Sequence, residues 1–263
     1  MDAKPVGILL RQWRERRRLS QLELSIRAEI STRHLSFVET GRSAPSRDMV
    51  LQLTDRLDVP LRERNRLLLA AGFAPVYSET SLEAPQMDTV RTAVRQLLTG
   101  HEPYPAVVVD RAWNLVEANG STALFTDLIA PHLLTPPANV LRASLHPEGL
   151  APHIVNLAEW RGHLLHRVHR IVELTADPEI AKLAAELESY PCPNPESETT
   201  APNEIMMPLR LRLDDDIELS FFSMVATFGT PLDITLSELA IEAFYPANAS
   251  TARLLRSTQD SLK

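Results

Sequence analysis

The stretch SQLELSIRAEISTRHLSFVETGRSAPS, residues 20–46, predicts two short helices joined by a tight turn. Ser20 with Glu23 forms a capping box, each side chain satisfying a backbone donor at the start of the first helix. Ser31 opens the second helix, whose inward residues are Leu35 and Val38. Two short helices cross at a large angle only where the contact positions are small or aliphatic, and here they are Leu24, Ser25, Ala28, Ile30, Leu35 and Val38. This is helix-turn-helix spacing. It presents the helix after Ser31 as a ridge that a DNA major groove admits.

The flanks complete a domain. Val6, Leu9, Leu10 and Trp13 recur at helical spacing before the basic block RERRR. Beyond the central pair, Ser46 starts a helix with Val50, Leu53 and Leu57 inward. Pro60 then introduces LRERNRLLLAAG, which Gly72 ends. The expectation is an all-α five-helix domain over residues 1–72. Its charge fits phosphate binding, because residues 1–70 carry 14 Lys/Arg against 9 Asp/Glu, a net of +5. The rest of the chain carries 13 against 25, a net of −12, and the whole is −7. A basic module joined to an acidic one places DNA at the first and repels it from the second. A plain helical bundle with a solvated arginine face accounts for the charge but not for the capping box and core pattern in register.

Residue roles follow from position. Gln21, at the start of the second helix, is expected at a phosphate. Thr32 and Arg33 begin the recognition helix and are expected at base edges, Arg33 suiting guanine O6 and N7. Phe37, one turn on, is placed to press on a thymine methyl, and His34, Ser36, Arg42 and Arg11 are assigned to the DNA backbone. The segment resembles the helix-turn-helix of the XRE family of phage-type repressors, with ETGRSAP matching that family's E-x-G-x-x-x-P ending. Glu29 departs from it, standing where the family often has Gly; a positive φ there costs ~1 kcal/mol of strain.

Residues 73–86, FAPVYSETSLEAPQ, read as a linker, and residues 87–263 as a second domain opened by a helix over 87–99. YPAVVVD and WNLVEA are expected strands, joined by a tight turn at Arg111–Ala112. Asn119 is expected to cap a helix. Further helices are predicted around 137–145, 151–174 and 177–188, the last opened by Asp177-Pro178. SYPCPNPESETTAPN is a polar, proline-rich loop. EIMMPLRLRL, IELSFFSMVATF and ITLSELAIEAFYP are closing strands, with Leu209, Leu211 and Leu213 buried, Arg210 and Arg212 wet, and Asp214–Asp216 as a hairpin turn. This order predicts an α+β domain: one antiparallel sheet with helices over one face.

This second part resembles the MmyB-like ligand-binding domain, through LLLAAGFAPVY, YPAVVVDRAWNLVEAN and ATFGTPLDITLSELAIEAFYPAN. The resemblance implies a PAS-like fold and a small-molecule sensor with a fatty-acid-like ligand; Asn248 stands where it leads one to expect Asp. In the 151–174 helix, Ile154, Leu157, Leu164, Val168 and Ile171 form an apolar stripe on which Arg161 falls. A buried arginine needs a partner, either a ligand carboxylate suited to its fork or a protein carboxylate, unless it reaches solvent at the rim. Trp113, Phe125, Phe221, Phe222 and Phe228 are candidates for a pocket or for plain core.

His163, His166 and His169 lack a metal-site partner pattern and are read as rim residues or as head-group contacts, so no metal is expected. The only cysteine is Cys192, so neither an internal disulfide nor a cysteine zinc cage is possible, as in a reducing compartment. No signal peptide or membrane span is read, and the chain is expected in the cytoplasm. There is no G-x-S-x-G, phosphate-binding glycine loop or Cys–His pair, so neither an enzyme nor a resident cofactor is expected. The expected partners are double-stranded operator DNA, a small apolar or amphiphilic ligand such as a bound fatty acid, and a second copy in a homodimer. In the alternative, the second domain only dimerises or recruits a protein, and a deep apolar cavity distinguishes the first case.

Overall fold

The computed structural model describes residues 5–175, 177–193, 206–214 and 217–261. They form two compact units. The first comprises Met1–Thr80 with Glu173–Thr175 and Thr230–Ser237; the second comprises Ser81–Val172, Ala176–Gly229 and Glu238–Lys263.

The first unit holds α1 (Val6–Arg16), α2 (Gln21–Arg27), α3 (Thr32–Glu39), α4 (Arg47–Arg56) and α5 (Leu61–Ala70). Ser20, Ser31 and Ser46 each accept the amide three residues on, and Ser20 with Glu23 makes the full capping box. Leu10, Trp13, Leu24, Ala28, Leu35, Val38, Val50, Leu53, Leu57 and Leu67 fill its core. All five helices end the same way. The residue after each C-cap has a left-handed backbone: Arg18 (φ 55°), Glu29 (53°), Gly41 (72°), Asp58 (47°) and Gly72 (84°). At Glu29 its amide donates to Ile26 O and the Ile30 amide to Ser25 O, the paired bonds of a Schellman motif, and the other four ends repeat the pair. Only two of the five positions carry the residue that bears this conformation without strain. Of the expected linker, residues 73–80 cluster with this unit: Asn65 accepts from the amides of Val76 and Tyr77 and donates to Tyr77 O.

The second unit contains α6 (Asp88–Gly100), β1 (Ala106–Val109), β2 (Leu115–Ala118), α7 (Ala123–Thr126), α8 (Val140–Leu145), α9 (Leu157–Thr175), α10 (Pro178–Ser189), β3 (Leu209–Arg212), β4 (Glu218–Thr227), β5 (Ala240–Pro246) and α12 (Ala249–Ser261). The helical turn α11 (Ile234–Ser237) precedes β5. One five-stranded sheet runs in the order β2-β1-β5-β4-β3. Every neighbouring pair is antiparallel. Leu209, Leu211, Leu219 and Phe221 join its inner face to the core with Leu164, Leu165 and Val168 of α9 and Leu183 and Leu187 of α10.

Several expectations are corrected. Helices do not keep to one face, because α6 packs on β1 from the side of Ala106 and Val108. The long helix begins at Leu157, not 151. Before it, Ile154 bridges Leu211, the Val155 amide donates to Arg210 O, and Asn156 takes up Pro208 O and the Arg210 amide. Backbone groups committed to the sheet edge cannot also turn a helix. The start of ITLSELAIEAFYP is helical because Asp233 accepts the amides of Thr235 and Leu236. Asn119 does stand at the N-cap, of the helical turn Gly120–Thr122, but only its carbonyl serves that turn, accepting the Thr122 amide; its buried side chain bonds Ala106 N, Leu98 O and Tyr104 O instead. The helix expected from 137 starts at Val140, where Asn139 accepts the amides of Leu141 and Arg142. Asn248, standing where Asp was expected, accepts from the Thr251 amide and the Ser250 hydroxyl at the start of α12. Asp215, Asp216, residues 194–203 of the polar loop and the first residues of EIMMPLRLRL lie outside the described residues.

Replacing Glu29 by Gly removes a side chain from a left-handed position without touching the core. The expected gain is about 1 kcal/mol in urea unfolding of the full chain. No gain would mean that Glu29 is held there by contacts worth as much as the strain.

Candidate nucleic-acid interface and ligand cavity

On α3 the residues Leu35, Val38 and Glu39 face inward. That leaves Arg33 exposed and His34, Ser36 and Phe37 half-buried on the other side. The guanidinium of Arg33 lies 5.3 Å from the Phe37 ring centroid and that of Arg42 6.0 Å from it. Two cations lie against one aromatic ring, which favours holding both side chains beside the helix over leaving them free to sample solvent. Arg42 is set there by the Gly41 turn, its amide donating to Phe37 O at 2.8 Å. The remaining expected contacts are already engaged within the protein. Thr32 shares a 2.8 Å hydroxyl hydrogen bond with Ser25, Gln21 donates to Glu39 at 2.8 Å, and exposed Arg11 pairs with Glu15 at 2.7 Å.

The orientation of α3 rests on a buried ion pair. Arg14 of α1 donates its Nε and Nη2 to the two oxygens of Glu39 at 2.7 and 2.9 Å, and its Nη1 to Leu19 O at 2.7 Å. The Glu39 side chain is 1% exposed, so this carboxylate has left water entirely and relies on Arg14 and Gln21. Hydrogen bonding to Glu39 holds the Arg14 guanidinium above its ordinary pKa, outweighing the effect of burial. Gly7 completes the contact, since a Cβ there would stand 2.2 Å from Val38 O. Neither Arg14 nor Gly7 stands out from sequence, and Glu39 does so only as the first residue of ETGRSAP. The available signal was Glu39 at an inward position of α3, which demanded a buried cation.

In the second unit, the inner face of the sheet and helices α7, α8 and α9 border a partly open apolar cavity of about 140 Å³. Val107, Leu115, Ala118, Leu209 and Phe244 line it from the sheet, and Phe125, Leu141, Ala143, Trp160 and Leu164 from the helices. Most of its polar wall groups are spent inside the protein: Asn139 caps α8, Thr122 donates to Asn119 O, and Ser144 accepts from Trp160 Nε1 at 3.0 Å. Glu242 of β5 lies on the same wall at 5% exposure. It accepts from Arg167 Nη1 at 2.9 Å. His163 stacks on Trp160 (5.6 Å, 26° between planes). Burial, then the charge of Arg167, hold its imidazole below the ordinary histidine pKa, while Glu242 pulls the other way.

Of the residues expected at a ligand, Phe125 and Leu164 line this cavity. The other placements are corrected. Arg161 is buried as its stripe requires, yet its Nη2 donates to Glu188 O at 2.7 Å, so a backbone carbonyl receives it. Trp113 packs in the core at a left-handed turn. Phe222 points to the opposite face of the sheet and stacks on Tyr245 at 5.4 Å, and half-buried Phe228 follows the end of β4. Alternation in AIEAFYP, which puts Glu242 on the face of Phe244, was the legible clue to the carboxylate that was missed. Its partner Arg167 lies one helical turn beyond His163.

His166 and His169 are exposed, and His169 contacts Glu188 at 2.7 Å. Elsewhere, His132, His146 and Glu148 bring their potential metal-ligating atoms within 4.8 Å of one another. His146 Nδ1, however, accepts the Glu148 amide, which in the neutral ring puts the proton on Nε2. No described helix is long and apolar enough to cross a membrane.

A basic helix-turn-helix unit followed by an α+β unit with an apolar cavity defines a ligand-responsive DNA-binding regulator. Residues 90–257 match the MmyB-like transcription regulator ligand binding domain, and residues 5–67 match a helix-turn-helix domain. The first match spans more than half of the chain, which belongs to the family of MmyB-like transcription regulators. No match was found among curated proteins.

Removing one partner of the α1–α3 pair leaves the other as a buried, uncompensated charge. Glu39→Ala is expected to cost about 3–5 kcal/mol in urea unfolding. A loss below about 1 kcal/mol, the range of exposed pairs, would show that the pair does not hold α3.

Proposed function

We propose that this chain is a cytoplasmic, homodimeric regulator that binds operator DNA sequence-specifically and releases or grips it according to a small apolar or amphiphilic ligand. The ligand is fatty-acid-like in build, an aliphatic body with one polar end. The observation that carries the sensing half is the cavity of about 140 Å³ walled by aliphatic and aromatic groups. A dry apolar cavity of about 150 Å³ is known to accept a benzene-sized guest, so the space suits a short chain or the inner part of a longer one. A domain built only to dimerise has no need of such a void, since empty apolar volume destabilises a core.

Control follows from geometry. Two recognition helices must meet half-sites one helical turn apart, so a dimer that changes their spacing changes affinity. The ligand acts only through its different affinity for the two arrangements. Mass spectrometry of an organic extract of natively purified protein, against a denatured-protein control, is expected to find a stoichiometric amphiphile. Ala143→Leu, which narrows the cavity, is expected to lose it. An extract without amphiphile from either protein, with operator affinity unmoved by added aliphatic compounds, would assign the second domain to dimerisation or partner recruitment.

On the DNA side, Arg33→Ala is expected to cost about 1–3 kcal/mol on operator DNA and much less on random duplex. Arg42→Ala is expected to weaken both evenly and to lower the salt slope by about 1. Fluorescence anisotropy over a salt series measures both, and equal losses for Arg33→Ala would remove its base contact.

A further inference from the structure

Among the described residues lining the cavity, Glu242 alone has an acidic or basic side chain. It sits on the inner face of the sheet, directly opposite Val107 of β1 and Val225 of β4 in the strand register. Its side chain is 7% exposed. Arg167 Nη1 is its one hydrogen-bond partner among the described residues, bound at Oε1, whereas an ionised carboxylate has about four lone-pair sites to offer. Arg167 itself does not line the cavity. A guest therefore meets an acceptor whose charge is already balanced from behind.

We infer that the polar end of the ligand is a neutral hydrogen-bond donor, of the hydroxyl class, that donates to the Glu242 carboxylate while the aliphatic body lies against Trp160, Leu164 and Phe244. This deepens the sensing proposal above and rests on it. A carboxylate head would set a second negative charge beside Glu242 with only one guanidinium to balance the two, in apolar surroundings where like charges are poorly screened. An ammonium head would compete with Arg167 for the same oxygens and leave a part-buried guanidinium uncompensated. A hydroxyl adds no charge and uses the free acceptor capacity. The tail is fatty-acid-like; the head is not an acid.

The test is calorimetric titration of the full chain at neutral pH with octan-1-ol, octanoate and octylamine, three probes of one length and different heads. Octan-1-ol is expected to bind roughly tenfold or more tighter than either charged probe, the worth of one charge-assisted hydrogen bond. In Glu242→Gln the shape and one acceptor remain, but the negative charge is gone and Arg167 is left as a net positive neighbour. Octanoate is expected to gain at least roughly tenfold there, while octan-1-ol weakens roughly threefold as its charge-assisted bond becomes a neutral one, so that the order of the two reverses. Octanoate binding as tightly as octan-1-ol to the natural protein overturns the inference and leaves the sensing proposal standing, as does a Gln variant with an unchanged order. If none of the three binds, the sensing proposal itself falls, and the inference with it. Should the variant not fold, the order of the three probes on the natural protein decides alone.

Discussion

The first domain depends on a guanidinium and a carboxylate that both left water to meet. Taking such a pair out of solvent costs several kcal/mol per ion, and a pair of aliphatic side chains fills the same volume at less expense. What the ion pair supplies is direction. A bidentate Arg14–Glu39 bond has one good geometry, and it fixes the rotation of α3 about its own axis as well as its distance from α1. Gly7 lets that distance be a backbone contact, and Gln21 ties the start of α2 to the same oxygen. Rotation is the quantity that matters for a helix read by a groove, since a turn of a few tens of degrees exchanges Arg33 for a different side chain at the base edges.

The second domain repeats the motif for another purpose. Arg167 and Glu242 also join a helix to the element that faces it, here α9 to β5, but the carboxylate borders a cavity instead of a packed seam. In one domain a buried pair specifies how two helices sit. In the other, a similar pair places a balanced acceptor on an otherwise apolar wall. The surrounding residues decide between these uses: Leu35 and Val38 close around Glu39, whereas Ala118, Ala138 and Ala143 leave space near Glu242.

Local signals in the chain were legible, and long-range ones were not. Three serine caps, the inward periodicity of five helices and the left-handed backbone at Glu29 all follow from residues within a few positions of one another, and the structure has them. The strand and helix order likewise predicted the antiparallel sheet. The misplacements share a cause. Residues 154–156 form part of a helical pattern until β3 claims their backbone, and for Arg161 the pattern leaves a ligand carboxylate, a protein carboxylate and the rim all open, whereas its Nη2 meets Glu188 O on a neighbouring helix. Periodicity tells that a polar group is buried; which partner meets it is set by packing between distant segments. The cavity is the extreme case, because a void is defined by side chains on several separate elements and leaves no mark on any one of them.

The start of α12 carries a consequence for how this fold meets acid. A carboxylate at a helix start holds its helix partly by charge, and that part is lost when the group protonates. The amide of Asn248 accepts from Thr251 and Ser250 without carrying charge, and Thr251 in turn accepts the Ser220 amide of β4. This anchor of the last helix on the sheet is therefore indifferent to proton concentration and to salt alike.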